Sequence, residues 1–532
     1  MPTEKTLWTD LQDLTPLPTT ALRDQRFIRL YSEYDTFNPM QTQLFHVLYH
    51  TDKPVFLGAP TGSGKTVVAE LAVLRMKRHF PKGICVYIAP LTSLARERLK
   101  EWRARLGTAP LGWRIIELSG DTNHDRVVLE RADIVVCTPE KWDIISRGWR
   151  GTASGDGTTP INGKDFVNRV KLLLLDEMHL LGEESGAVLE GIVCRTRFIS
   201  HVLKQHDVAP TRIIGLSTAL ENPLDLSSFL GIDTASGKPT ARHGIYNFRP
   251  SVRPVPIIAH IQGFSGRQYG PRMASMNKPV FAAIKQHSRG KPALIFCGSR
   301  AQTRLTALDL ISFAAVEEYP RLFLRCSEAK IEAFAATVRD ESLRHTISFG
   351  IGLYHAGLAA ADREIVEKLY LQGDLQVLIS TATSAWSVNF PARLVVCKGT
   401  EYFDSKLKRF LNVRKMLRVP LVVTQTQPFS LSSVERQYPL ASVLQVRRHV
   451  LHNSNCVYCT YFLTSFVQMM SCAGRAGFDD EAIAVIMTTQ GMRDYYRKVR
   501  HMFSAKCLNT AISTWSDSFC ITPFHWRAGF PM

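Results

Sequence analysis

Residues Ala59 to Thr66 read APTGSGKT, the pattern A-x-x-x-x-G-K-T, between an apolar run (Val55, Phe56, Leu57) and a helical pattern with Val68, Leu71 and Ala72 on one face. A loop of this form wraps a polyphosphate. Ala59, Pro60, Thr61, Gly62, Ser63 and Gly64 shape the cradle, the two glycines freeing the backbone to turn its N–H groups inward. Lys65 offers charge to the outer phosphates, Thr66 offers a hydroxyl to Mg²⁺, and the helix that follows adds its unpaired N-terminal donors. Further on, Leu172–Leu175 runs into Asp176-Glu177-Met178-His179. An aspartate ending a buried strand can hold the Mg²⁺ bound to phosphates, and the glutamate beside it can polarise the attacking water. Just upstream of the loop, the Gln41 amide can donate and accept at once, as reading an adenine requires. Together these residues point to ATP and Mg²⁺ as cofactors.

Such groups need a scaffold that delivers them to one place. Short apolar runs at Ile84–Ala89, Arg114–Leu118, Asp133–Cys137, Val170–Leu175 and Arg212–Leu216 alternate with helical or polar stretches. That alternation predicts a parallel sheet covered by helices on both faces, with ligands beyond the carboxyl ends of the strands. Pro90, Thr138-Pro139, the acidic pair and Ser217-Thr218 all stand at such ends. A second series follows at Pro292–Phe296, Ile351–Tyr354, Gln376–Ser380, Leu394–Cys397 and Ile483–Met487. Two facing sheets leave a cleft for ATP, and the second must then supply a cation to the γ-phosphate. The expected organisation is a lead-in (1–36), a first domain (37–240), a Pro- and Arg-rich connector (241–278), a second domain (279–498) and a tail (499–532).

The 532-residue chain carries a net charge of +18, which favours a polyanionic partner such as nucleic acid. It contains no apolar run long enough to span a membrane and no secretory signal at its start, and several of its eleven cysteines lie in apolar strand candidates. The expectation is a reducing compartment, nucleus or cytoplasm, with no membrane association.

The motifs APTGSGKT, TPEKW, DEMH and STA, in this order, resemble those of superfamily-2 helicases. FNPMQTQLFHVLYH, DEMHLLGEESGAVLE, YNFRPSVRPVP and PRMASMNKPVF are similar more particularly to the large double-cassette nucleic-acid helicases, the helicase subunit of the activating signal cointegrator complex and the spliceosomal U5 helicase. The resemblance implies two tandem RecA-like α/β domains and an ATP-dependent helicase that translocates 3′ to 5′ on single-stranded or duplex RNA or DNA, acting within a larger ribonucleoprotein, repair or ribosome-rescue complex. It places Gln41, Lys65, Thr66, Asp176 and Glu177 in the nucleotide roles argued above, with Met178 and His179 completing the acidic box. Pro90, Thr138, Pro139, Ser217, Thr218, Arg300, Thr381 and Asn389 become the strand-contacting and coupling residues, and Arg475 the arginine finger. In the arginine motif Cys472 stands where relatives have another arginine, and Ser471 where they have glycine.

The resemblance is interrupted at 413–437 and 446–468, and it ends after Lys498. Both interrupting pieces begin Val-Arg and end in Gln, which GTAAGN and CAG can encode, so translated introns and a truncated gene-model product are the expectation for these segments, with a genuine lineage-specific insertion as the alternative. His449, His452, Cys456 and Cys459 have zinc-compatible spacing but fall inside the second piece, and no zinc site is assigned. The alternative function is a catalytically impaired scaffold that binds ATP and nucleic acid without turnover.

Overall fold

The computed structural model describes residues 8–148, 169–179, 186–204, 208–220, 223–232, 244–266, 268–382, 390–404, 409–411, 469–470, 472–474 and 479–500. The expected loop at 151–163, both interrupting pieces, the zinc-spaced quartet, Asn389, Arg475 and the tail lie outside these residues.

Two parallel sheets form the two lobes. The first contains β1 (Val55–Gly58), β2 (Ile84–Ile88), β3 (Ile115–Glu117), β4 (Ile134–Cys137), β5 (Val170–Leu175), β6 (Arg212–Ser217) and β7 (Ile245–Asn247), in the spatial order β3-β4-β2-β5-β6-β1-β7. The second contains β8 (Ile257–Phe264), β9 (Ala293–Cys297), β10 (Ile351–Tyr354), β11 (Val377–Thr381), β12 (Leu394–Lys398) and β15 (Ala482–Thr489), in the order β10-β11-β9-β12-β15-β8. A small antiparallel hairpin, β13 (Tyr402–Asp404) with β14 (Arg409–Leu411), follows β12.

The first sheet is buried on both faces, and its side-chain alternation shows how. Val55, Leu57, Leu172 and Leu174 pack into one core; Phe56, Leu173 and Leu175 pack into a second core on the opposite face. Successive residues of a strand point to opposite faces, so a strand covered by helices on each side is apolar throughout rather than alternating. That is why runs such as Leu172–Leu175 were legible as strands. Observed strand ends fall within two residues of the expected ones.

The sequence reading lacks the hairpin β13–β14 and one strand of each main sheet. β7 and β8 both arise within the stretch expected to be connector, and each occupies one edge of its sheet. β7 is only three residues long, and β8 carries His260 and Gln262 with most of its residues half-exposed. Three residues are too few to show a period although β7 is buried, and half-exposure weakens the apolar pattern of β8. The consequence is that the chain leaves the first lobe at Phe248, whose N–H donates to the Gly58 carbonyl, and is already paired with β15 from Ile257.

Buried charges tie the lead-in to the first lobe. Glu70, in the helix Lys65–His79, is fully buried and accepts from Tyr31 Oη (2.9 Å), Trp102 Nε1 (3.2 Å) and Arg105 Nη1 (2.7 Å). Removing one partner of a buried charged network leaves the others unpaired at about 3–5 kcal/mol. Arg105 keeps some solvent access, so the lower end applies. Glu70→Ala is expected to destabilise the first lobe by roughly 3 kcal/mol, seen as a lowered melting temperature by circular dichroism.

Candidate nucleotide and nucleic-acid site

The loop between β1 and the helix Lys65–His79 takes its shape from Gly62 (φ 80°) and Gly64 (φ 93°), both in the left-handed region that other residues rarely adopt. Gly64 is required for a second reason. A Cβ there would stand 2.3 Å from Gln41 Nε2. The helix Pro39–Tyr49 opens with a capping box: Gln41 N–H donates to Asn38 Oδ1 (2.8 Å), and Gln41 Oε1 accepts from Asn38 N–H (3.0 Å). From that helix end Asn38 Nδ2 donates to the Ser63 carbonyl (2.9 Å) and Gln41 Nε2 to the Gly64 carbonyl (3.3 Å). The Gln41 amide thus braces the loop and engages protein on both its oxygen and its nitrogen. A second lone pair on the oxygen and a second hydrogen on the nitrogen remain for contact with a base.

Parallel pairing sets β1 beside β6, and β6 beside β5, so their carboxyl ends share one edge. Lys65 Nζ donates to the carbonyls of Ala59 (3.0 Å) and Ser217 (3.1 Å), joining the loop to the end of β6. Around it, Thr61 Oγ1, Ser63 Oγ and Ser217 Oγ are buried without a hydrogen-bond partner. Buried hydroxyls left in this way call for a polar ligand, and an ammonium with three hydroxyls suits a polyphosphate.

Asp176 follows β5. Its Oδ1 accepts from Glu177 N–H (2.9 Å) and its Oδ2 from Tyr87 Oη. Burial pushes the Asp176 carboxyl above its ordinary range, and the neighbouring Glu177 pushes the same way, against the pull of Arg98, Tyr87 and Lys65. Burial, then Asp176, holds the Tyr87 phenol well above its usual pKa, so it stays a donor. Arg98 lies over the rings of Tyr87 (5.8 Å) and Trp102 (5.7 Å) and pairs with Glu101 (2.5 Å). Tyr87 and Arg98 orient the acidic box but were not singled out by sequence. Tyr87 reads as an ordinary strand residue, and only the β2–β5 pairing, with Tyr87 opposite Leu174, brings it to the acid.

Glu177 sits at φ 49°, an unfavourable conformation for a non-glycine residue that costs roughly 1–3 kcal/mol and concentrates at working sites. Its Oε2 is buried with no hydrogen bond. His179 Nδ1 lies 3.3 Å from that oxygen and 3.5 Å from the Thr218 N–H. Burial, then Lys65, drives the His179 pKa down to about 3, so the ring is neutral. One neutral ring nitrogen can donate to Glu177 or accept from Thr218, not both. The His179 tautomer therefore links the acidic box to the Ser217-Thr218 loop. That loop is held from behind by Asn247 at the end of β7, which accepts from Leu220 N–H (3.1 Å) and donates to the Leu220 carbonyl (2.7 Å). Asn247 was another omission, hidden in the unexpected edge strand.

Pro90 and Pro139 line a narrow crevice together with Asp176 and Glu177, and Thr138 is buried just before Pro139. In the second lobe Arg300 starts the helix after β9 and lies against Gly357 beyond β10, while Thr381 ends β11. Both stand at the carboxyl edge of their sheet. Of the arginine motif, Met469, Met470, Cys472, Ala473 and Gly474 are described. Cys472 is buried, which raises its thiol pKa to about 12, so this position is neutral.

A fold of two parallel sheets, with a phosphate loop after β1 and DEMH after β5 on either side of the end of β6, defines a class. Residues 38–226 match the DEAD/DEAH box helicase family, so the chain carries a DEAD/DEAH box helicase domain within a RecA-like α/β fold. It is 47% identical over 490 residues to activating signal cointegrator 1 complex subunit 3 of Homo sapiens, covering 92% of this chain and 19% of that protein. It is 45% identical over 490 residues to the protein of the same name from Dictyostelium discoideum, again covering 92% and 19%. To DExH-box ATP-dependent RNA helicase DExH14 of Arabidopsis thaliana it is 45% identical over 498 residues, covering 94% and 20%. The chain spans about a fifth of the length of these relatives.

Asp176 offers a test that separates function from folding. Its folded pKa lies above the unfolded value, so protonation favours the fold. That contribution is complete below the ordinary carboxylate pKa of about 3.9 and is lost as pH rises through the raised folded value. At neutral pH the ionised carboxylate costs stability. Asp176→Asn is expected to abolish ATP hydrolysis while leaving the nucleotide-free melting temperature equal or higher; a lower one would mean the carboxylate is structural.

Proposed function

We propose that this chain is the motor core of an ATP-dependent helicase that couples ATP hydrolysis to movement along RNA or DNA, 3′ to 5′. The observation that carries the reading is the convergence on one sheet edge of the phosphate loop, the acidic box and the Ser217-Thr218 loop, with Lys65 bonded to two of the three. The name of the plant relative favours RNA as the strand, and the name of the cointegrator relatives favours work within a multi-subunit assembly.

In this reading the loop amides and Lys65 hold the outer phosphates, while Thr66 and Asp176 hold Mg²⁺. The metal supplies charge neutralisation to the leaving phosphates. Glu177, its Oε2 free of protein hydrogen bonds, orients the attacking water and takes its proton. His179 and Thr218 pass the state of the site to the strand-contacting edge, where Pro90, Thr138-Pro139, Arg300 and Thr381 meet the nucleic-acid backbone. Arg475 and Asn389 complete the second lobe's share as proposals from sequence. The compartment proposed is nucleus or cytoplasm; no described helix is long and apolar enough to cross a membrane.

The scaffold reading draws on Cys472, whose neutral thiol replaces a cation. Similarity to helicases along nearly the whole chain weighs against it. Strand-stimulated hydrolysis and duplex separation decide between them. Lys65→Ala is expected to lower hydrolysis by at least about 10²-fold with the fold intact, and retained turnover would remove the loop from the site. Phosphate contacts dominate single-strand binding, so affinity should fall by orders of magnitude between about 50 and 200 mM salt; a flat salt response would argue for a different partner.

A further inference from the structure

The crossing between lobes, residues 248–256, runs past the phosphate loop, and one of its side chains touches both lobes. Arg253 Nη1 donates to the Thr61 carbonyl (3.2 Å) in the loop, and Nη2 donates to the carbonyls of Ala473 and, at 3.4 Å, Gly474 in the second lobe. The guanidinium lies against the loop itself: a Cβ on Gly62 would stand 3.2 Å from Arg253 Cζ. Burial lowers the Arg253 pKa to about 10, which still leaves it charged at neutral pH.

The far end of this contact is anchored independently. The Ala392 N–H donates to the Cys472 carbonyl (3.1 Å) and the Gly474 N–H to the Ala392 carbonyl (2.8 Å), fixing the 472–474 turn beside the start of β12. Gly474 has φ 82°, and a Cβ there would come within 2.8 Å of Val255 Cγ1 and 2.7 Å of Ala482 Cβ. The Pro256 carbonyl accepts from Ala482 N–H (3.0 Å) at the start of β15. Residues 255 and 256 therefore belong to the second lobe. Two residues upstream, Arg253 reaches back across the boundary.

We infer that Arg253 is a positioning residue for hydrolysis, coupling the shape of the phosphate loop to the placement of the arginine-motif turn. A planar guanidinium with donors in a fixed fork can bond carbonyls of two lobes at a set separation, which a lysine ammonium cannot reproduce. Nucleotide entering the loop changes what surrounds Thr61 and Gly62, and Arg253 transmits that change to residues 472–474, immediately before Arg475 in the chain. The motif thus keeps its register with the first lobe although position 472 carries no charge. This inference rests on the hydrolysis reading above, but its first readout needs no nucleotide.

The experiment compares the full chain with Arg253→Ala and Arg253→Lys by amide hydrogen exchange without nucleotide, then by fluorescent ATP-analogue binding and strand-stimulated hydrolysis. Expected in both variants is roughly 10-fold faster exchange at 61–64 and at 472–474 together, with protection of β1, β5, β9 and β12 unchanged. Turnover is expected to fall by roughly 10²-fold at unchanged nucleotide affinity. Unchanged exchange at either segment overturns the coupling. Loosening of the sheet strands also overturns it, because Arg253 would then be a folding residue. Affinity falling in step with turnover overturns it in favour of a direct phosphate contact. Faster paired exchange in a chain whose wild type neither binds nor hydrolyses ATP supports the coupling and sinks the hydrolysis reading instead.

Discussion

The Lys65 ammonium is the point to which the first lobe is tied. It bonds the Ala59 carbonyl before the loop and the Ser217 carbonyl at the end of β6, strands that are neighbours in space and far apart in sequence. Its hydrogen bonds go to neutral carbonyl oxygens, and Asp176 stands near enough to feel its charge. Thr61, Ser63 and Ser217 add three buried hydroxyls without a hydrogen-bond partner. A site of this kind favours an anion of several charges, because only such a ligand satisfies all of its donors at once.

Opposite the cation stands a pair of carboxylates whose difference lies in their surroundings. Asp176 is bonded through both oxygens and lies in a setting that resists ionisation. A divalent cation bound there, as proposed, would relieve that resistance. Glu177 is held in a strained backbone conformation with one oxygen free of hydrogen bonds, which suits a group that must engage a water. Adjacent in sequence, the two acids are given different surroundings by backbone geometry. His179 extends this pair toward Thr218 through a single nitrogen that can serve one neighbour at a time. A change at the acidic box is thereby felt at the loop expected to couple hydrolysis to strand movement.

The two lobes meet through a short crossing rather than a passive tether. Its first residues complete the edge of one sheet as β7 and its last lead into the edge of the other as β8. Residues 248–256, with a single short turn at Pro250–Val252, separate them. Such a short span leaves little freedom for the lobes to drift, and it delivers Arg253 and Val255 to the boundary as a fixed pair.

Much of the first lobe was legible in the chain itself. APTGSGKT and Leu172–Glu177 declare their chemistry because a phosphate loop needs glycines with left-handed backbone, a lysine and a hydroxyl at set positions, and because a doubly covered strand is apolar at every residue. These are local requirements, satisfied within a few consecutive residues. What only the tertiary structure decided are the contacts between residues distant in sequence: Tyr87 on Asp176, Asn247 on Leu220, Glu70 beneath Tyr31, Trp102 and Arg105, and Arg253 between Thr61 and Ala473. The two edge strands were hidden for a related reason: β7 is buried but only three residues long, and β8 is half-exposed and carries little apolar signal, so both are defined by the neighbour they pair with. Spacing along a chain records which groups a loop can present. Which buried donor faces which acceptor depends on strand order and register, and no single stretch of residues encodes those.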